Sequence, residues 1–168
     1  LIASIAMATA APFIYHQQPG ELVITTKDGR DRWTLFSSSG FRDRDDEIVS
    51  TKALLADVNR ADHDGDYGPL RFWHLVTKGK SGRSIGADIG DCDFNMVHGH
   101  ILIESGTFRS PEIAQTVKEN APKLEVSIGF IHPAAEPDPD GVYYKIRRFE
   151  RSIVPKGRVA NRTTRLIL

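Results

Sequence analysis

Alternation of apolar and polar side chains is the dominant pattern along this chain, and helical spacing interrupts it twice. In "LEVSIGF" at 124–130, Leu124, Val126, Ile128 and Phe130 fall on one face and Glu125, Ser127 and Gly129 on the other, the period of a half-buried strand. Strands are also predicted over 20–27, 32–41, 70–76 and 142–149, and 84–108 reads as strand segments broken by glycines. "DGR" at 28–30 is a turn signal, so the first two strands form a hairpin. A helix is predicted over 50–61, capped by Ser50 and apolar through Ala53, Leu54, Leu55, Ala56 and Val58. A second spans 110–123, with Ser110 as cap, Pro111 at the first helical position, Ile113, Ala114 and Val117 as its stripe, and Pro122 as its stop. Loops are expected at 62–69, 77–84 and 132–141, with a charged turn at 42–47.

Strands outnumber helices, and no strand–helix unit repeats. The expected class is mainly β (α+β), a small antiparallel β-barrel with flanking helices. The 168 residues suffice for one domain with a hydrophobic core. The expected division is an N-terminal arm over 1–19, a domain over 20–160 and a basic C-terminal tail over 161–168. The arm opens with "LIASIAMATAAPF", which resembles the apolar part of a signal peptide but lacks a basic leader. It is short against the ~20 residues that a spanning helix needs. It is expected to pack poorly or to engage a neighbouring molecule. No stretch elsewhere reads as transmembrane.

Charge changes the picture mainly by exclusion. Lys plus Arg and Asp plus Glu are 22 each, so the formal net charge is zero. Neither a nucleic acid nor an anionic membrane partner is supported, since both call for a basic surface. Neutrality suits a protein that works inside an assembly. Cys92 is the only cysteine, which excludes an intrachain disulfide and suits a reducing compartment.

Several motifs fail on inspection. "DHDGDYG" at 62–68 alternates aspartates like a calcium loop, but position 12 of that loop is Trp73 where a bidentate Glu is required. His98 and His100, at i and i+2 near Cys92 and Asp93, keep a metal-dependent hydrolase open as a lesser reading, without CxxC or HExxH. "GKSGRS" at 79–84 lacks the Walker spacing. No metal and no cofactor is therefore expected.

Ser127 would be a nucleophile if the chain supplied a base and an orienting acid. His74 in "LRFWHLV" is one base, although alternation with Leu70 and Phe72 equally describes a core histidine. Glu150 in "RRFERSIV" faces away from Phe149 and is one acid, although it equally describes a surface partner of Arg148 or Arg151. Six histidines and 22 acids make any such triple easy to draw.

The order of four segments is more specific. "SSSGFRDRDDEIVS" at 37–50, "LRFWHLV" followed by "GRSIG" at 82–86, "KLEVSIGF" at 123–130 directly after a helix, and "RRFERSIVP" at 147–155 together resemble the prohead (capsid maturation) proteases of tailed bacteriophages. These are relatives in fold of the herpesvirus assemblins. The resemblance covers residues 37 to about 160. It departs after His74, where Leu75 and Val76 replace a turn residue, and after Pro155, where "KGRVANRTT" replaces a "PANP" segment. It implies an assemblin-like barrel and a serine endopeptidase with Ser127 as nucleophile, His74 as base and Glu150 as the acid holding the imidazole. Gly129 and its neighbours, or Arg147 and Arg148, are its oxyanion candidates. It further implies scaffold and major capsid precursor proteins as substrates, self-processing, a homo-oligomer, and work in the host cytoplasm inside the assembling prohead. The alternative is a non-catalytic capsid-assembly or scaffolding protein with the same fold.

Overall fold

The computed structural model describes residues 26–27, 29–78, 84–132, 137–158 and 165–167, with side chains for all of these except 26–27, 73–78, 84–87 and 165–167. The arm over 1–19 lies outside the described residues. In chain order the elements are β1 (Thr26–Lys27), β2 (Arg30–Ser39), β3 (Ile48–Val49), α1 (Thr51–Asp64), β4 (Pro69–Lys78), β5 (Ser84–His98), β6 (Ile101–Phe108), α2 (Pro111–Asn120), a 3₁₀ turn (Ala121–Lys123), β7 (Leu124–Ile131), β8 (Val142–Tyr143), β9 (Arg147–Pro155) and β10 (Arg165–Ile167).

One sheet dominates, in the order β1-β2-β6-β5-β4-β9-β7, with β10 also pairing β2. Its pairs are antiparallel except β4 with β9, which run parallel. The sheet curls so that β2 and β7 approach, but it stays an open half-barrel. This corrects the expected closed barrel: the described strands pair β9 with β7 and β2 with β6 but form no ladder between β7 and β2. A separate parallel pair, β3 with β8, ties the turn before α1 to the segment before β9.

The helices form for the reasons the sequence gives. The Ser50 hydroxyl accepts from the Ala53 amide at 3.1 Å, and Ser110 from the Ile113 amide at 3.3 Å, so each satisfies one orphan donor of a first turn. α1 runs to Asp64, three residues beyond the expected stop, and Gly65 caps it in the left-handed region at φ 64°. Both expected helices and the 124–130 strand stand.

Other expectations are corrected. Residues 84–98 form one strand, because Gly90 and Gly106 make room for buried Trp33 rather than breaking the chain: a Cβ on Gly90 would lie 2.7 Å from Trp33 Nε1, and one on Gly106 would overlap the same ring. Residues 142–149 split between β8 and β9, which belong to different sheets. Arg165–Ile167, within the C-terminal segment over 161–168, pairs with β2.

The sheet's inner face carries two apolar clusters. Trp33, Leu35, Leu70, Phe108, Val126 and Ile153 pack with Ala114 and Val117 of α2. Leu102, Tyr143 and Ile146 pack with Ala53, Leu54 and Val58 of α1. Among the described residues no helix is long and apolar enough to cross a membrane.

Candidate functional site

β7 and β9 are antiparallel neighbours with Ser127 opposite Ser152 and Gly129 opposite Glu150. Directly opposed residues on paired strands share a face, so these four side-chain positions form one patch. The pairing then slips by one residue: Phe130 opposes Arg148, and Phe149 is the extra residue of a β-bulge. Phe149 is 48% exposed.

The bulge reverses the alternation of β9. Arg148 and Arg151 both fall on the inner face, with Phe130 and Ile128 respectively, while Glu150 and Ser152 fall on the face of Ser127. Without it, Arg148 and Glu150 would share a side. A loop holds the bulge in place. Gly68, at φ 73°, lies so close that a Cβ there would meet the Phe149 carbonyl oxygen at 2.6 Å. Arg151 donates to the Gly68 carbonyl at 2.5 Å and to that of Tyr67.

Glu150 is 1% exposed and Ser152 fully buried. The Ser152 hydroxyl donates to Glu150 Oε2 at 2.5 Å, a short charge-assisted hydrogen bond. The other carboxylate oxygen, Oε1, lies over Gly129, where an added Cβ would overlap it. Ser127 is half-buried. Gly129 thus leaves space for the Glu150 carboxylate beside the serine.

His74 belongs to β4, the neighbour of β9 on the side away from β7. The strands bearing His74, Glu150 and Ser127 therefore lie side by side, with that of Glu150 in the middle. The His74 side chain lies outside those described, so its expected contact with Ser127 and Glu150 does too. The β4–β9 ladder runs to Phe72 opposite Ile153, and the β4–β5 ladder shifts register between Arg71 and Val76, the span that holds His74. Arg71 is the β4 residue level with Ser152, and hence with Ser127. It donates to Asp88 at 2.9 Å, and Arg109 lies 3.4 Å from the other oxygen of that carboxylate. Sequence reasoning missed Arg71, since only the register puts it in this row.

Sequence reasoning also missed a buried ionic belt behind the site. Arg148 donates to Asp57, to Glu104 Oε1 and, at 2.6 Å, to Asn95 Oδ1. Arg151 donates to the same Glu104 oxygen at 2.8 Å. Burial alone would raise the Glu104 pKa, but Arg151 and then Arg148 outweigh it and hold the carboxyl below its ordinary range. The belt withdraws Arg148 from the oxyanion candidates, because its guanidinium is committed on the inner face. Arg147 is exposed, with its guanidinium 3.8 Å from Asp66.

The lesser metal reading loses its geometry. His98 ends β5 and His100 lies beyond a turn at Gly99, so the assumed strand alternation does not join them. His100 Nδ1 is 2.8 Å from Thr51 Oγ1, and Asp93 is held by Arg32 at 2.7 Å. Among the described residues no group of three or more His, Cys, Asp or Glu is placed to hold a metal. The aspartates at 62–66 are engaged as well: Asp62 accepts from Asn95 at 2.9 Å, and Arg60 reaches Asp64 at 3.4 Å. No protein-family model, no curated protein and no solved structure matches this chain.

Proposed function

We propose that the chain is a serine endopeptidase with Ser127 as nucleophile, His74 as base and Glu150 as the acid that orients the base. The observation that carries this reading is the local architecture around the serine. A half-buried hydroxyl shares a face with a buried carboxylate across a glycine built to admit it, and the strand bearing His74 is next in line.

In this reading Ser127 Oγ attacks a peptide carbonyl and passes its proton to His74. The proton goes on to the leaving amine, and water then releases the acyl group by the same route in reverse. The substrates are scaffold and major capsid precursors of a tailed phage prohead, including the chain itself. Work inside the shell in the host cytoplasm, as a homo-oligomer, belongs to the same proposal.

A fluorophosphonate probe tests the chemistry without knowledge of the substrate. Ser127 Oγ would form a bond to phosphorus, fluoride would leave, and the hydroxyl proton would pass to the base. Mass spectrometry of the labelled chain should place the adduct on Ser127, with none in Ser127→Ala or His74→Ala. Co-expressed capsid precursor should be cut by the parent chain only. A second reading is a non-catalytic capsid-assembly protein, favoured by the register that sets Arg71 rather than His74 level with Ser127. An unlabelled Ser127 together with an intact precursor would decide for it.

A further inference from the structure

We infer that Ser152 is a positioning residue, which fixes the Glu150 carboxylate and holds its negative charge toward the base, jointly with the bare backbone of Gly129. The inference rests on the proposed serine chemistry and adds to it a residue that no triad assignment contains. A carboxylate on a strand has several rotamers, and its side chain must be locked if it is to orient another group. Here the two oxygens are constrained separately. Oε2 receives the Ser152 hydroxyl proton at 2.5 Å, and Oε1 occupies the space that any side chain at position 129 would take. Both constraints lie in the dry part of the patch, where a hydrogen bond to a charged group has its largest effect. Ser152 itself is fully buried, so it is not a second nucleophile exposed to substrate.

Charged groups also stand on the strands around Glu150. On β4, Arg71 lies level with Ser152 and is paired with Asp88, and His74 is farther along the same strand. On β9, Arg151 lies on the opposite face, and Glu150 is among the anions that raise its pKa. On β7, Glu125 is turned to the Gly157 amide at 2.7 Å. Without the Ser152 hydroxyl the carboxylate is free to turn, and its negative charge is no longer held toward the base. A base that loses its charge partner holds a proton less tightly, and the acidic limb of the reaction moves to lower pH.

The test measures the rate of fluorophosphonate labelling at Ser127 against pH for the parent, Ser152→Ala, Ser152→Thr and Gly129→Ala, with thermal melts alongside. Ser152→Ala should label about tenfold or more slowly, with its acidic limb lowered by about one pH unit, the scale of one lost hydrogen bond to a charge. Ser152→Thr, which keeps a hydroxyl, should recover most of the rate. Gly129→Ala should reproduce the slow phenotype by displacing the carboxylate, and it gives a readout if Ser152→Ala fails to fold. Parent-like rate and limb in folded Ser152→Ala, or in Gly129→Ala, would overturn the role of Ser152 while leaving the protease reading in place. Absence of any adduct on Ser127 in the parent would overturn both.

Discussion

Cys92 shows how far a residue's chemistry departs from its identity once it is placed. Its thiol, half-buried on β5, donates to the Phe94 carbonyl at 3.3 Å. Burial first, with Glu104 acting in the same direction against Arg151 and Arg148, pushes its pKa up to about 11. Its folded pKa therefore lies above the unfolded value of ~8.5. The linked stability is fully present below that value and is lost as pH rises through the folded one. Alkylation by iodoacetamide should inflect near pH 11 in the folded protein and near ~8.5 in urea, with roughly a hundredfold less thiolate when folded at about pH 8. A folded-state inflection near ~8.5 would show that the thiol is not shielded. The sequence excluded a disulfide, but burial of the thiol comes from the β5–β6 pairing. For Glu150 the sequence reads a place apart from Phe149, and Glu150 is buried while Phe149 is exposed; the sequence stops there. It has no means of announcing the bulge that sends Arg148 inward, because a bulge is set by the Gly68 loop that presses on it.

At the scale of elements, the legible parts were those coded locally. Ser50 and Ser110 sit where an N-cap must, and Pro111 where its missing amide does no harm. Replacing either serine by alanine should cost ~1 kcal/mol, and by glycine only a few tenths. For a chain of this size ~1 kcal/mol corresponds to a fall of ~2–4 °C in Tm, which urea and thermal unfolding would both register. An unchanged midpoint in both alanine variants would mean that the helices are fixed by packing and not by their caps. The less legible elements depended on partners distant in sequence. β8 exists because Ile48 and Val49 are there to pair, and β10 because β2 offers Thr34–Phe36. Gly90 and Gly106 look like breakers until Trp33, supplied by β2, fills the space they leave.

The whole molecule is organised as two apolar clusters separated by a band of charge on the inner sheet face. α2 closes on one cluster and α1 on the other, and Asp57 of α1 reaches Arg148 between them. Asp57, Glu104, Arg148 and Arg151 balance two negative against two positive charges, all buried. Such a set adds little over an apolar core of equal volume, but breaking it leaves a charge stranded. Glu104→Gln should therefore destabilise by ~3–5 kcal/mol, since Arg151 would lose its carboxylate and Arg148 would keep only Asp57, which Arg60 also engages. The same variant carries a pH signature. The Glu104 pKa is depressed in the folded state, where the two arginines overcome burial. Its contribution is thus present above the unfolded carboxyl value of ~4.3 and is lost as pH falls through the lower folded one. Urea unfolding of the parent between about pH 7 and pH 3 should show stability falling on the acid side, and the fall should be shallower in Glu104→Gln, which has no proton to take up there. Equal acid slopes in the two proteins, or a cost under ~1 kcal/mol at about pH 7, would mean that Glu104 does not hold the belt. The outcome also bears on the site, because Arg148 and Arg151 flank the bulge that turns Glu150 toward Ser127.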